Sequence, residues 1–318
     1  MSQGEVRNLF KHEIMPLLAP AVRRLFSRVE PQHLLKVEEI RMRSGQPLII
    51  RGWDGEYGLD ANNGLTHDIN RSYRVSGEDI IRTIAAISDN SLYAFEEDIK
   101  KGFITIAGGH RVGLAGQVIM QQGQVKAIKE FSSICLRIAR EIKGCAVPLM
   151  GSIYAPGGKV NNTLLISPPR CGKTTLLRDI ARLLSTGSRQ HQPYHVVIVD
   201  ERSELAGCYL GLPQLEVGPR TDVLDACSKA AGIMMAIRAL SPEVIITDEL
   251  GRREDAEAIR ECINAGVSIV SSVHASSVDE LAARPIMSEL VESKIFKNII
   301  ILSRSKGPGS IEKVIRWD

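Results

Sequence analysis

The stretch from residue 163 to residue 184, TLLISPPRCGKTTLLRDIARLL, constrains the fold more than any other part of the chain. Its apolar run, its loop and its amphipathic continuation predict a strand, a tight turn and a helix, in that order. The loop fits the pattern G-x-x-x-x-G-K-[ST] at Gly172, Lys173 and Thr174. Ser167 stands where the pattern has its first Gly, and we expect a sharp backbone turn at some energetic cost there. The sequence therefore predicts a phosphate-binding loop.

This loop implies a specific chemistry. Successive backbone N–H groups and a helix N-terminus form a cradle for anionic oxygens. Lys173 adds a positive charge for the β- and γ-phosphates, and Thr174 offers its hydroxyl to Mg²⁺, which keeps most of its water ligands. We therefore predict that the chain binds ATP and Mg²⁺. The residues predicted to contact the nucleotide are Ser167, Pro168, Pro169, Arg170, Cys171, Gly172, Lys173, Thr174 and Thr175.

Three later apolar runs predict buried parallel strands that end beside this loop. HVVIVDE ends in Asp200 and Glu201, PEVIITDE ends in Asp248 and Glu249, and SIVSSVH ends in His274. The carboxyl ends of parallel strands lie at one edge of a sheet, where ligands of open α/β sheets bind. One strand that ends in solvated acids is unremarkable, but three polar ends beside a phosphate loop favour a site.

Phosphoryl transfer suggests roles for these side chains. In phosphate-loop enzymes a strand-tip Asp holds Mg²⁺ and a neighbouring acid positions the attacking water. We predict that Asp248 binds the metal together with Thr174, and that Glu249 activates water. The residues predicted to tune or sense the γ-phosphate are Asp200, Glu201, Glu204 and His274, with a core role as the alternative for His274. Candidate arginines for stabilising charge in the transition state are Arg137, Arg140, Arg220, Arg252 and Arg253.

The order of elements predicts two domains. Residues 146–318 alternate strands and helices, with helices expected at about 222–240, 252–264 and 278–291, which indicates a mostly parallel sheet covered on both faces. Residues 1–145 carry strand and helix patterns without a catalytic motif, which indicates a smaller α+β domain. Gly and Pro residues just after the predicted boundary have the composition of a linker.

Composition limits the partners. The net charge is +3 and aromatic residues make up 4% of the chain, whereas single-strand binders need basic grooves and stacking platforms. We therefore expect no nucleic acid. No apolar run approaches the ~20 residues that span a bilayer, so we expect no membrane insertion. The six cysteines form no C-x-x-C pair, which argues against zinc and fits a reducing, cytoplasmic compartment.

Together the motifs resemble a known superfamily, the secretion and traffic ATPases of type II and type IV systems and of pilus retraction. Its acid box runs Glu-Asp-x-x-Glu, and Asp200 to Glu204 resembles it with the first two acids exchanged. VIITDELGRRED resembles its second acid strand, AGVSIVSSVHA its histidine box, and EEIRMRSGQPLIIRGWDG its N-terminal domain. The resemblance implies a RecA-like P-loop NTPase domain and a hexameric ring.

Within that superfamily, PPRCGKTTLLRDIAR, VDERSELAG and SSVHA resemble the stage III sporulation AA family of spore-forming Firmicutes. This resemblance implies an ATPase in the mother-cell cytoplasm, peripherally associated with membrane proteins of a channel complex around the forespore. Two alternatives stay open. One is a nucleic-acid-dependent ATPase of similar core, and the other is an ATP-binding assembly scaffold with little turnover.

Overall fold

A computed structural model describes residues 2–60, 64–89, 95–100 and 102–317. The chain divides into two compact units, Met1–Arg140 and Glu141–Asp318. We propose that these units correspond to the two domains expected at 1–145 and 146–318. Each unit is built on its own seven-stranded sheet.

The first unit is an antiparallel sheet covered by helices. Its strand order is β4-β3-β2-β1-β7-β6-β5, and every neighbouring pair is antiparallel. The strands are β1 (Val37–Arg43), β2 (Ile49–Gly52), β3 (Gly55–Asp60), β4 (Gly64–Thr66), β5 (Phe103–Thr105), β6 (Arg111–Gln121) and β7 (Gln124–Arg137). The α-helices are α1 (Gln3–Leu9), α2 (Pro20–Phe26), α3 (Pro31–Leu34), α4 (Gly77–Ile87) and α5 (Glu96–Lys100), and a π-helix, Phe10–Ile14, follows α1.

Apolar faces and helix caps explain this unit. On β1, Val37, Ile40 and Met42 are buried, as a half-buried strand requires. Helix α4 begins at a capping box in which the Ser76 side chain accepts from the Asp79 backbone and the Asp79 side chain accepts from the Ser76 backbone. The reciprocal bonds satisfy backbone groups that have no partner inside the helix.

The second unit is the predicted α/β domain. Its strand order is β12-β11-β13-β14-β10-β15-β16, parallel except for the last pair. The strands of this sheet are β10 (Thr163–Ser167), β11 (Val196–Asp200), β12 (Thr221–Asp225), β13 (Val244–Thr247), β14 (Ser268–His274), β15 (Asn298–Ser303) and β16 (Ser310–Arg316). A separate hairpin pairs β8 (Tyr154–Ala155) with β9 (Lys159–Val160). The helices are α6 (Val147–Ile153), α7 (Lys173–Thr186), α8 (Lys229–Ala239), α9 (Arg253–Asn264), α10 (Val278–Ala282) and α11 (Pro285–Glu292).

Two hydrophobic clusters cover the two faces of this sheet. Strand β10 is buried along its whole length, and its alternate residues enter different clusters. Leu165 packs in the cluster that contains α6 and α7, whereas Leu164 and Ile166 pack in the cluster that contains α8 to α11. The pleat sends successive side chains to opposite faces, so a continuous apolar run predicts a strand with helices on both sides. The expected α/β class with a mostly parallel sheet is confirmed.

Two helix predictions were partly wrong. The helix expected at 222–240 begins only at Lys229, because Thr221–Asp225 forms strand β12 at the edge of the sheet. The helix expected at 278–291 is two helices, and α11 begins at Pro285. A Pro at the first helical position starts a helix, but inside a helix it removes a hydrogen bond and clashes with the preceding turn.

Helix α8 lies very close to β11, and Gly232 makes this approach possible. A Cβ added at Gly232 would lie 2.4 Å from Val199 Cγ1 and 2.8 Å from Cys227 Sγ. Because overpacked side chains force the core to shift, we expect Gly232→Ala to lower the free energy of unfolding by about 1–3 kcal/mol. Urea unfolding followed by circular dichroism measures this change.

Gly151→Ala is the matched control, since Gly151 is also helical and a Cβ there would meet nothing within 4 Å. We expect the control to leave stability unchanged or to raise it by up to about 1 kcal/mol, the helix preference of Ala over Gly. Equal effects of the two substitutions would contradict the close approach of α8 to the sheet.

Candidate nucleotide-binding site

The phosphate loop joins β10 to α7 through two residues with left-handed backbone. Gly172 is the N-cap of α7 with φ 84°, and Arg170 has φ 62°. Ser167 is the last residue of β10 and has no positive φ. The energetic cost expected at Ser167 is therefore not found, because the sharp turn is made three and five residues later. The loop leads into a helix of 14 residues, whose N-terminus favours anions.

Lys173 is folded over its own loop. Its Nζ atom lies 3.0 Å from the Ser167 carbonyl oxygen, 3.0 Å from Ser167 Oγ and 3.1 Å from the Pro168 carbonyl oxygen. It also lies 2.8 Å from Nδ1 of His274. Burial lowers the pKa of Lys173, while Cys171, Glu249 and Asp248 act in the opposite direction. The ammonium group is thus held at the centre of the loop by neutral acceptors.

His274 connects the loop to the second acid strand. An ammonium group only donates hydrogen bonds, so Nδ1 of His274 accepts from Lys173, and Nε2 carries the proton. Nε2 lies 2.6 Å from Oε1 of Glu249, to which it donates. Lys173, His274 and Glu249 therefore form one continuous chain of hydrogen bonds, which joins the predicted phosphate ligand to the predicted water-activating acid.

Glu249 is held by its backbone as well. Its φ of 41° lies in the left-handed region, which is uncommon for a residue with a Cβ. Its backbone N–H donates to Ser272 Oγ at 3.2 Å, and the next residue, Leu250, donates to the Ser272 carbonyl at 2.8 Å. These two bonds hold Glu249 and Leu250, which follow β13, against Ser272 of β14. Strained backbone that is fixed in this way is typical of functional sites.

Asp248 and Thr174 carry the oxygen atoms that suit Mg²⁺. Asp248 is 3% exposed, and its carboxylate makes no hydrogen bond or ion pair with any residue that the structure describes. Burial, then the charge of Asp200, raises the pKa of Asp248 to about 7. The Thr174 hydroxyl likewise has no hydrogen-bond partner within the described part of the chain. A carboxyl group at this depth is either protonated or compensated by a cation, and carboxylate and hydroxyl oxygens are ligands that Mg²⁺ accepts, so the chemistry of these two side chains suits a bound Mg²⁺.

The acid box is mainly engaged in its own structure. Asp200 is fully buried and accepts from the backbone N–H groups of Glu204, Leu205 and Ala206 at 2.8–2.9 Å. Burial raises the pKa of Asp200 to about 6, although these three bonds lower it. The Glu204 carbonyl accepts from Arg178 of α7 at 2.8 Å. These contacts fix the shape of the loop that follows β11.

Glu201 belongs to a separate cluster of charges. It pairs with Lys229, the first residue of α8, and lies 3.4 Å from Arg252. Burial alone would raise the pKa of Glu201, but Lys229 and Arg252 lower it below its ordinary value. Lys229 is 6% exposed, so its charge is compensated inside the protein rather than by water.

The five candidate arginines have different partners. Arg252 forms an ion pair with Glu201 of the acid box. Arg253 forms an ion pair with Glu257 of its own helix, and Arg220 donates to the Ser185 carbonyl. In the first unit, Arg137 pairs with Glu39, and Arg140 donates to carbonyls of residues 34, 35 and 37.

Sequence reasoning missed three contributors to the site. Lys229 pairs with Glu201, and Arg202 lies 3.2 Å from Glu249. The turn between β15 and β16 touches the phosphate loop, since the Gly309 N–H donates to the Cys171 carbonyl at 2.8 Å. Arg202 stands inside the acid box, and its position there was the only signal in the sequence. Thr175, a predicted nucleotide contact, lies on α7, where its carbonyl accepts from the Cys145 thiol.

The described residues contain neither a cluster of metal-ligating side chains nor a helix that could span a membrane. No group of three or more His, Cys, Asp or Glu side chains within them is arranged as a metal site. No helix among these same residues is both long and apolar enough to cross a bilayer.

The chain is similar to known proteins over almost its whole length. A model of the family "Sporulation stage III, protein AA" matches residues 9–316. The chain belongs to this family. Stage III sporulation protein AA of Bacillus subtilis (strain 168) is 44% identical over 309 residues, which cover 96% of this chain and 95% of the relative.

Solved structures show the same fold at lower identity. The Legionella pneumophila ATPase DotB matches with a TM-score of 0.57 and 17% identity, over 88% of this chain and 74% of that chain. The pilus retraction motor PilT, solved with bound ADP, matches with a TM-score of 0.50 and 15% identity, over 83% of this chain and 74% of that chain. At this identity the likeness is one of fold, and the expected RecA-like P-loop fold is thereby confirmed.

The raised pKa of Asp248 predicts a pH-dependent stability. The folded protein holds this proton up to about pH 7, whereas the unfolded chain releases it near the ordinary value of 3.8. Asp248 therefore lowers the stability of the folded state increasingly as pH rises through this window. In EDTA and without nucleotide, we expect Asp248→Asn to stabilise the protein by about 3 kcal/mol more at pH 8 than at pH 5, since the ionisation penalty grows by about two pKa units and each unit corresponds to about 1.4 kcal/mol.

Chemical unfolding of both proteins at the two pH values measures this difference. Asp222→Asn is the control, because Asp222 is exposed on β12, and its effect should be the same at both pH values. If the stabilisation by Asp248→Asn were the same at both pH values, ionisation of Asp248 would cost the folded state little free energy, and the prediction would be contradicted.

Proposed function

We propose that the chain hydrolyses ATP in the presence of Mg²⁺, as the subunit of a ring-forming motor related to the secretion ATPases. The observation that carries this proposal is the hydrogen-bonded chain from Lys173 through His274 to Glu249. It joins a group suited to bind the γ-phosphate to a carboxylate suited to activate water. A purely structural P-loop protein has no need of such a connection.

Nucleotide binding rests on the phosphate loop and on α7. Backbone N–H groups at the start of α7 face the phosphate oxygens, and the helix dipole favours their negative charge. Lys173 exchanges its neutral acceptors, the carbonyls of Ser167 and Pro168, for phosphate oxygens. This exchange is favourable because hydrogen bonds between two charged groups are about twice as strong as neutral ones.

Thr174 and Asp248 would hold the metal. When bound, Mg²⁺ supplies positive charge that neutralises the phosphate oxygens. Asp248 becomes ionised when a cation compensates it, because its raised pKa comes mainly from burial. Only two side chains are needed, since the phosphates and water complete the coordination of this ion.

Glu249 would act on the attacking water. Its carboxylate orients the water and accepts its proton as the bond to the γ-phosphorus forms and the bond to the β,γ-bridging oxygen breaks. His274 keeps the carboxylate in place and loses its Nδ1 partner when Lys173 turns to phosphate. Phosphate binding at Lys173 would therefore be transmitted to Glu249 through His274. Glu201 and Glu204 would act on the γ-phosphate from the acid box, and Asp200 would hold that loop in shape.

The cellular part of the proposal comes from the family. The relative of 44% identity is named for stage III of sporulation. We propose that the chain acts in the mother-cell cytoplasm, that six copies form its ring, and that it docks on membrane proteins of a channel complex around the forespore. Sedimentation with and without ATP and Mg²⁺ tests the ring, since a mass that stays that of one chain of 34.9 kDa would contradict it.

Lys173→Ala tests nucleotide binding. Removing the ammonium group deletes charge-assisted hydrogen bonds, and we expect ATP affinity to fall about 100-fold, which corresponds to about 2.7 kcal/mol. Isothermal titration calorimetry measures the affinity. The control is Lys159→Ala, which removes an exposed lysine of β9 and should leave affinity unchanged. Equal affinities of the two variants would remove Lys173 from the phosphate site.

Glu249→Gln separates binding from turnover. The amide keeps the shape of the side chain but cannot accept a proton from water, so we expect turnover to fall at least about 100-fold while ATP still binds. Steady-state phosphate release and calorimetry give the two quantities. Glu292→Gln, an exposed change on α11, is the control. A wild-type chain that binds ATP but has no turnover would favour the assembly-scaffold alternative.

A further inference from the structure

The acid-box turn, residues 200–206, is held rigidly beside the site. Asp200 accepts three backbone N–H groups of this turn, and Arg178 of α7 donates to the carbonyls of Glu204 and Leu205. Ser203 has φ 53° and donates its hydroxyl to Asp225 at 2.7 Å. Because both ends of the turn are fixed from inside the protein, side chains on the turn have a defined direction.

The two acids at the start of the turn are already engaged. Asp200 binds the backbone of the turn, and Glu201 pairs with Lys229 and Arg252. Arg202, the next residue of the turn, contacts Glu249: its Nη1 atom donates to Oε2 of Glu249 at 3.2 Å.

With this contact, both oxygens of the Glu249 carboxylate accept a hydrogen bond. His274 donates to Oε1 at 2.6 Å, and Arg202 donates to Oε2. The backbone N–H of Glu249 is bonded to Ser272. With one donor on each oxygen, rotation about the last side-chain bond is restricted. A base that activates water needs its lone pairs aimed at one position, so such a restriction affects the rate directly.

We propose that Arg202 is a positioning residue for hydrolysis: it orients the Glu249 carboxylate and thereby couples the acid-box turn to the water-activating acid. This role rests on the proposed function. Arg202 touches neither phosphate nor metal in this scheme and acts only through Glu249. The acid box then contributes to turnover through its arginine as well as through its acids.

Exposure separates this role from a role in stability. Arg202 is 55% exposed and Glu249 33% exposed, and ion pairs of this kind add little to the stability of a folded protein. Loss of Arg202 should therefore leave the melting temperature nearly unchanged. Its effect should appear in turnover, where a misdirected base lowers the fraction of productive geometries.

The test compares Arg202→Ala and Arg202→Lys with the wild-type chain. We expect Arg202→Ala to lower kcat about tenfold, equal to about 1.4 kcal/mol, with KM and the calorimetric ATP affinity within about twofold. Arg202→Lys keeps one donor and should retain kcat within about threefold. Arg284→Ala is the matched control, since Arg284 is an exposed arginine paired with Glu280 four residues away. Its kcat should equal that of the wild type.

A double variant shows whether Arg202 acts through Glu249. In a Glu249→Gln chain, adding Arg202→Ala should cause no further loss of turnover. A further tenfold loss would overturn the proposal, as would a wild-type kcat in Arg202→Ala or a parallel loss of kcat, affinity and melting temperature. A wild-type chain without any ATP turnover would instead overturn the proposed function itself, and with it this role.

Discussion

The parallel pairing of β10 with β14 is the constraint on which the site depends. In this register Ser167 lies opposite His274, so the last residue of the strand before the phosphate loop faces the histidine. Lys173 folds back over Ser167 and thereby meets His274, which in turn meets Glu249. Pairing of β13 with β14 sets Thr247 opposite Ser271, which brings Glu249 to Ser272. A slip of one residue in either ladder would turn these side chains to the other face of the sheet.

The electrostatics of the site follow from this convergence. Asp200, Asp248 and Glu249 end neighbouring strands, and their mutual proximity together with burial raises the pKa of Asp248 to about 7. Lys229, Arg202 and Arg252 supply positive charge on the same side. Asp200 has three backbone donors and Glu201 has an ion pair, whereas the carboxylate of Asp248 makes neither a hydrogen bond nor an ion pair with a described residue and feels the charge of Lys229 only at longer range. The acid left without a partner is the one that suits a metal ion.

The sequence predicted the α/β class because the evidence is local. Apolar runs such as Leu164–Ile166 and Val196–Val199 are buried on both faces, and their alternation with helical patterns along the chain indicates a parallel sheet between helices. It failed where two local preferences compete. Thr221–Asp225 forms an edge strand without a regular alternation of buried and exposed residues, and it precedes an Ala-rich helix, so its own sequence does not separate it from that helix. The turn that contacts Cys171 through Gly309 could not be foreseen, because 137 residues of unrelated pattern lie between the two.

The sequence by itself determined the phosphate loop, the acids at the strand tips and the histidine, since each follows from residue type and spacing within one segment. The tertiary structure alone decided which of these side chains meet. In the folded chain Asp200 accepts hydrogen bonds from the backbone of its own turn, Glu201 forms an ion pair with Lys229, and Arg202 forms an ion pair with Glu249. These choices depend on strand register, on left-handed residues such as Glu249 and Ser203, and on the depth at which each carboxylate is buried. None of these quantities is a property of a short stretch of sequence, because each arises only when distant segments pack together.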